Sequence, residues 1–496
     1  MNETTSRTVA KNASVLMASQ LLTWGLTLLL TVFLPRYLGA EAIGQLHLAG
    51  SLWAMVMVFI AFGMDIVLIK EIARDSSRMP EHLSTSIVLR AIFFVVGFLA
   101  VFIYVTNVDY SPETVLVVVI IGISDLFAQV LSAFGAVLQG FQRMEYKAIG
   151  DVAGKAFGTI VSIVLVLLGQ GVLVIAAVNI GAVLVTMVIY LYFVNRTQKL
   201  CLWCFTMDSA RWLLRSGVPF LLTGIFLVIY VQIDVIIISL VANETVVGWY
   251  SAADRLFGTL LFIPTVFITA IFPVLSQAYA NDPDSLPKIM RKSFDLLLLL
   301  SVPIGLGVLV VANGVVLLLF GEGFINSGPV LAVMGIVLLL TYQNMLVGQF
   351  LISVDKQNMW TWVMAVATFV SLPLDLILVP WCQATFNNGA IGGALAFVIT
   401  ESGMMIAGLR LMPRNTLTRQ TAQYAFKVFL SGGVMVAATW WMRDFFVVIP
   451  IVVGAVVFLA MILLLKVVPQ EDWALFRSLF MSVLARLGIR KVQPVP

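Results

Sequence analysis

Arg255 stands inside an apolar stretch, beside Asp254 and one stretch after Asp234. A guanidinium among apolar residues needs an anion. Its planar fork gives paired hydrogen bonds to a phosphate or a carboxylate. The chemistry on offer is therefore phosphate recognition, with Asp234 or Asp254 holding the cation between visits, or else a structural ion pair. Gln20, Thr23, Thr27 and Thr31 recur at helical spacing, as do Ser216, Thr223, Tyr230 and Asp234, and His47 and Ser51 lie in the stretch between. Such stripes suit hydrogen bonds between helices or the hydroxyls of a sugar. Asp125 and Glu401, each amid apolar residues, are candidates for a coupling proton or sodium ion, and Asp65 and Asp375 are further acids of this kind. Arg90 and Lys155 lie within snorkelling reach of one membrane face, where they would attract an anionic headgroup coming in from inside.

Other chemistries lack their residues. Three cysteines and two histidines cannot build a disulfide framework or a four-ligand zinc site, so no metal and no cofactor is expected. Cys201-Leu-Trp-Cys204 lacks the strand–helix context of a redox motif and reads as a reduced loop pair; Cys382 belongs to the opposite membrane face. Gly154-Lys155 lacks the upstream glycine and the following hydroxyl of a nucleotide-binding loop. No soluble block is large enough for a catalytic domain, so the chain reads as a transporter and not an enzyme.

The elements that must position these residues are membrane spans. The chain is 61% hydrophobic and 11% charged over 496 residues, against about 25% charged in soluble domains. The net charge of +4 falls between apolar blocks, so nucleic acid is not the partner it indicates. A span needs about 20 mostly apolar residues. Fourteen blocks qualify: 12–34, 45–69, 86–106, 114–138, 148–168, 172–194, 216–241, 246–275, 293–319, 329–353, 359–381, 390–412, 424–441 and 445–466. Pro264 and Pro273 predict kinks in the eighth, and Asn313-Gly314 a break in the ninth. Arg7 and Lys11 ahead of the first block are reminiscent of a signal peptide, but its apolar run is too long and no cleavage site follows, so it reads as a retained helix.

With both termini cytoplasmic, only Arg36 and Arg443 of the 29 cations fall outside and Arg255 falls within a span. That asymmetry supports the orientation and an even span count. After Pro469, Trp473, Phe476, Phe480, Val483 and Leu487 recur as one face of an interfacial helix.

The first span ends in Leu34-Pro-Arg36-Tyr-Leu-Gly39-Ala-Glu41-Ala-Ile-Gly44, and the seventh in Leu240-Val-Ala-Asn-Glu244-Thr-Val-Val-Gly248. Gly171-Val-Leu-Val-Ile-Ala-Ala177 after span five is echoed by Gly389-Ala-Ile-Gly-Gly-Ala-Leu395 after span eleven. Paired starts separated by six helices mean parallel repeats. The expected fold is an all-α membrane protein of 14 transmembrane helices: an N-lobe over 1–200 and a C-lobe over 211–412, pseudo-symmetric and six helices each, around a central cavity. A helix pair follows over 420–468 and a cytoplasmic amphipathic tail over 469–496. Two lobes about a cavity suit alternating access.

Arg36-x-Leu-Gly39-x-Glu41-x-x-Gly44 resembles the opening signature of Wzx-type polysaccharide transporters, within the multidrug/oligosaccharidyl-lipid/polysaccharide exporter superfamily. Gly248-Trp-Tyr-Ser-Ala-Ala-Asp254-Arg255-Leu, followed by Phe272-Pro273-Val-Leu-Ser276, resembles the family's eighth helix, and Leu319-Phe-Gly321-Glu-Gly-Phe324 its outer loop. The resemblance covers nearly all of spans 1–12; the extra pair is shared by some members and by lipid II flippases. It implies that spans 1, 2, 7 and 8 face the cavity, which makes Arg255, Asp234, Asp254, Gln20, Thr23, Thr27, His47 and Tyr230 the substrate-binding candidates. It implies a flippase that moves a polyprenyl-diphosphate-linked oligosaccharide, an O-antigen or other surface polysaccharide unit, from the cytoplasmic to the outer leaflet of a bacterial or archaeal inner membrane. Membrane lipids, a proton or sodium ion and a polysaccharide polymerase are the partners it implies. A lipid II flippase is the first alternative, with more arginines expected in lobe one. A cation-coupled multidrug exporter would lack Arg255, and an embedded glycosyltransferase or polymerase would need a large outer loop, whereas the outer loops here are short.

Overall fold

The computed structural model describes residues 3–197, 204–412 and 418–467, with side chains from residue 15 onward. The expected amphipathic tail over 469–496, Cys201 and residues 413–417 lie outside the described residues. All regular structure among the described residues is helical. The helices are α1 (Glu3–Ala61), α2 (Met64–Arg74), α3 (Met79–Asn107), α4 (Pro112–Gly140), α5 (Met144–Leu167), α6 (Val172–Thr197), α7 (Met207–Val241) and α8 (Glu244–Leu260). They continue as α9 (Phe262–Asn281), α10 (Leu286–Phe320), α11 (Ser327–Ser353), α12 (Gln357–Phe386), α13 (Gly389–Leu411), α14 (Arg419–Trp440) and α15 (Val448–Leu464).

Splitting α1 at its kink, carrying its second half into α2, and joining α8 to α9 resolves these helices into fourteen passes. Eleven segments are long and apolar enough to cross a membrane, and one of them, Val15–Ala61, holds two passes. The last pair falls short of that measure for separate reasons. α14 is diluted by Lys427 and a run of small residues, and α15 has 17 residues. At 1.5 Å per residue α15 still reaches about 26 Å, close to the thickness of a hydrocarbon core.

Breaks in the helices have identifiable causes. α1 bends at Gly39, whose φ of 83° and ψ of 174° leave the helical region, with Pro35 one turn before. Only glycine adopts that backbone without strain. Phe62 and Gly63 both have positive φ, and they separate α1 from α2 inside the second pass. The eighth pass breaks at Leu261, upstream of Pro264. A proline leaves the carbonyl four residues back without its amide. Here that carbonyl belongs to Leu260, and the Tyr342 hydroxyl donates to it at 2.7 Å. Pro273 stays within α9. The expected break at Asn313-Gly314 is absent, because α10 runs through it. Instead the Asn313 side chain lies where a Cβ on Gly328 of α11 would project.

Helices α4, α5 and α6 pack on one another and on α1, and α10, α11, α12 and α13 form a second packed group. The two meet along a seam where α1 lies against α7 and α8. The repeated glycines make the tightest crossing on that seam. A Cβ on Gly44 would overlap the Glu244 carbonyl, and one on Gly248 would overlap the Ala40 carbonyl. Each repeat's glycine thus rests on the backbone four residues ahead of the other repeat's glycine, the reciprocity that a two-fold axis imposes. At this end Tyr110 bonds Ser239 at 2.8 Å and Thr114 donates to Glu244 at 2.9 Å. At the other end His82 bonds Ser209 at 2.6 Å and Thr206 donates to Glu81 at 2.6 Å. There Gly63 and Gly217 permit backbone contact between the α1–α2 break and α7. Both ends of the seam are closed.

Candidate functional site

Arg255 lies on α8, partly exposed, about 17 Å from that helix's start at Glu244. Its guanidinium has no hydrogen bond and no ion pair among the described residues. Three other ionisable groups lie within its electrostatic reach: His47 on the second half of α1, Lys155 on α5 and its neighbour Asp254. None of these three forms an ion pair either. An arginine and a lysine from two helices, balanced by one acid, leave a local surplus of positive charge, and His47 beside them offers a ring nitrogen for hydrogen bonding. In a low-dielectric setting that surplus attracts an anion far more strongly than it would in water.

Lys155 is therefore placed differently from the expectation. It is about 16 Å along α5 from Met144 and belongs with Arg255, not with a headgroup admitted at the membrane face. Arg90 also departs from its expected role. It is 1% exposed and its donors are spoken for: Asp65 at 2.7 Å, Gln129 at 2.9 Å on the side chain and 3.0 Å on the carbonyl, Ser132 at 2.6 Å and Ser86 at 3.2 Å. Every nitrogen of the guanidinium is already bonded and the side chain is buried, so it is not presented to an incoming phosphate. This network instead ties α3 to α4 and to the start of α2.

The expected ion pair between Arg255 and Asp234 does not form. Similar depth on adjacent helices is not enough, because Asp234 points away from the seam. Its carboxylate accepts the Tyr250 hydroxyl at 2.7 Å and lies within hydrogen-bonding reach of Asp375. Asp375 is fully buried and finds no other partner. Tyr230 is engaged too, donating to Glu401 at 2.7 Å. Glu401 also accepts from Asn344 at 2.7 Å. Asp125 on α4 is partly exposed and has no hydrogen bond or ion pair among the described residues.

The polar stripe of the first pass bonds only to its own helix. Thr23 donates to the Gln20 carbonyl at 3.0 Å and Thr27 to the Thr23 carbonyl at 2.8 Å. These hydroxyls do not glue helices together; their oxygens stay free to accept, and Gln20 is exposed. Trp24 meets Phe262 of α9 edge-on at 4.6 Å, setting the stripe at the depth of the break in the eighth pass. Tyr250, Asn344, Gln129 and Ser132 were not singled out by sequence. Tyr250 alone had a signal, in the Gly248-Trp-Tyr motif. Against the expected reduced pair, Cys204 is disulfide-bonded, while Cys382 is free and buried.

A cavity of about 450 Å³ lies on the far side of α8, between it and α10, α11, α14 and α15. Leu256, Pro303, Val308, Met435 and Gly454 are among its walls, and its few hydroxyls come from Thr259 and Thr439. It suits hydrocarbon and not a charged group.

Known proteins share both the sequence pattern and this fold. A family described as polysaccharide biosynthesis protein matches residues 9–279. "Probable flippase AglR" of Haloferax volcanii is 24% identical, over 82% of this chain and 84% of its own length. "Probable low-salt glycan biosynthesis flippase Agl15" of the same organism is 23% identical, over 79% and 81%. Among solved structures, the lipid II flippase MurJ in an inward closed conformation superposes with a TM-score of 0.71 at 14% identity, covering 91% of this chain and 98% of MurJ. An inward-facing multidrug resistance MATE family transporter superposes with a TM-score of 0.60 at 17% identity, covering 83% and 94%. The fold is the one these two transporters share.

Proposed function

The chain belongs to the polysaccharide biosynthesis protein family, and from that premise we propose that it flips a lipid-linked oligosaccharide across a cytoplasmic membrane. The observation that carries the reading is the unpaired Arg255, with Lys155 and His47 within its reach. A cation kept unpaired inside a membrane protein is costly and marks the path of an anion. A polyprenyl diphosphate supplies one. One relative named a probable flippase, a second named a probable low-salt glycan biosynthesis flippase, and the absence of an ion-pair partner for Arg255 among the described residues support the same reading.

The substrate is amphiphilic, and α8 offers one environment to each part. Arg255 takes the diphosphate; the cavity beside Leu256 takes part of the polyprenyl tail. The hydroxyl oxygens of Thr23 and Thr27 accept from sugar hydroxyls, and the Gln20 amide both accepts and donates. Asp254 neutralises Arg255 between visits, the role the sequence shared with Asp234. The closed seam corresponds to an occluded stage of alternating access, in which the repeats rock about the Gly44–Gly248 crossing. With both termini cytoplasmic, negative charge moves outward, favoured by an inside-negative potential by roughly 2.3 kcal/mol per charge per 100 mV. Asp125, a carboxyl without a partner on α4, is one candidate for the coupling proton or sodium ion.

The test is genetic and chemical. Cells lacking this chain should accumulate the lipid-linked glycan on the inner leaflet, protected from an external glycosidase, and lose surface glycan; restoring the chain should reverse both. Normal surface glycan in its absence, with no accumulated precursor, would reject the reading.

A further inference from the structure

Glu401 sits in the middle of α13, 4% exposed, with no cation within ion-pair distance among the described residues. Its Oε1 accepts the Tyr230 hydroxyl and its Oε2 accepts Nδ2 of Asn344, each at 2.7 Å. The same Nδ2 donates to the Glu401 carbonyl at 2.9 Å. Thr341, one turn from Asn344 on α11, lies beside the carboxyl without a well-formed bond. Asn344 Oδ1 has no hydrogen-bond partner among the described residues, although the residue is more than nine-tenths buried.

Two facts need a joint explanation. A carboxylate out of water with no counter-cation is strongly disfavoured. An orphaned amide oxygen beside it, Asn344 Oδ1, is disfavoured for the same reason. One added proton answers both, because it removes the charge and creates the missing donor. We propose that Glu401 is a proton-carrying site of the transport cycle and that Asn344 is its positioning residue. Hydronium gives up a proton to Oε2, its own O–H bond breaking as one forms on the carboxyl; water is left and the carboxylate charge goes from minus one to zero. The Asn344 amide turns about its last bond, so that the N–H donor is replaced by Oδ1, which accepts the new O–H. The reverse turn accompanies release. An amide can serve either state because its oxygen and nitrogen have nearly the same shape. A sodium ion needs several oxygens to converge on it, whereas a proton needs a single acceptor, which the turned amide supplies.

Helices α7, α8, α11 and α12 pack against α13. The titratable groups they bring near this level are Tyr230 and Asp234, Tyr250, Asp254 and Arg255, Tyr342, and Asp375 with Cys382. Arg255 is the cation in this set, and it makes no contact with Glu401. The two are joined only through rings. Tyr230 meets Phe397 edge-on at 6.0 Å, and Phe397 meets Phe257 at 5.5 Å, two residues along α8 from Arg255. Assigning the proton to a transport cycle rests on the flippase reading; the proton site itself does not.

Infrared difference spectroscopy on the full chain in lipid nanodiscs, stepped between high and low pH with and without sodium chloride, tests the site with no glycan present. A protonated-carboxyl C=O band should appear at low pH. Glu401→Gln should remove it, and Asn344→Ala should shift its frequency, which a merely structural role would not do. Arg255→Ala should retain it, and sodium should not displace it. If the Gln variant fails to fold, Glu401→Asp should return a carboxyl band at a shifted frequency. A spectrum unchanged by Glu401→Gln, or a band that sodium abolishes, overturns the proposal. Should Arg255→Ala leave glycan export intact while this band stands, the flippase site fails and the proton site survives.

Discussion

Within the membrane, what distinguishes one charged residue from another is whether its partners are already satisfied. Arg90 and Arg255 are the same side chain in similarly apolar stretches, yet the first meets Asp65, Gln129, Ser132 and Ser86 and the second meets no bonding partner among the described residues. The first therefore holds helices together, and the second is the one we propose to meet a ligand. Arg90→Ala should strip the partners from Asp65 and Gln129 and destabilise the chain by about 1–3 kcal/mol. Asp65 is 34% exposed on its side chain, which keeps the effect below that of a fully buried pair. The expected outcome is a lower thermal midpoint that Asp65→Asn partly restores; an unchanged midpoint would show that the network contributes nothing. Sequence made the ionisable residues visible but not this distinction. Helical spacing gives depth along the membrane and leaves the direction around the axis undetermined. Asp234 and Arg255 thus looked like partners by depth, while Asp234 faces Tyr250 and Asp375.

Among the helices, the apolar blocks were legible because a bilayer demands about 20 such residues and few other environments do. The break after Leu260 followed from Pro264, whose missing amide has a fixed consequence. The break at Phe62-Gly63 had no such marker, and the one expected at Asn313-Gly314 did not occur, because packing of Asn313 on Gly328 supports an unbroken α10. The repeated Gly44 and Gly248 gain meaning only in three dimensions, where they let α1 and α8 cross backbone to backbone. Gly248→Val should force that crossing apart, since its first side-chain atom already overlaps the Ala40 carbonyl. A cysteine introduced at Ala40 should become more reactive toward a membrane-impermeant maleimide in this variant than in the parent. Equal labelling would mean that the crossing does not hold that end shut.

The whole molecule brings its repeats together along a single seam, closed at both ends by hydrogen bonds and glycine crossings, with the positive cluster between them. On the proposed flippase reading, the repeats separate at one end while the other stays shut, and a charged headgroup meets cations and hydroxyls throughout its passage. Removing the Arg255 guanidinium is the most direct challenge to this account. The measurement is the rate at which a fluorescent polyprenyl-diphosphate glycan becomes accessible to an external glycosidase in proteoliposomes carrying the chain, its Arg255→Ala variant or its Arg255→Lys variant. Loss of two charge-assisted hydrogen bonds, each about 1.5–3 kcal/mol, predicts a fall of at least a hundredfold for Ala and a smaller one for Lys. Translocation by a folded Arg255→Ala variant at the parent's rate would contradict the account.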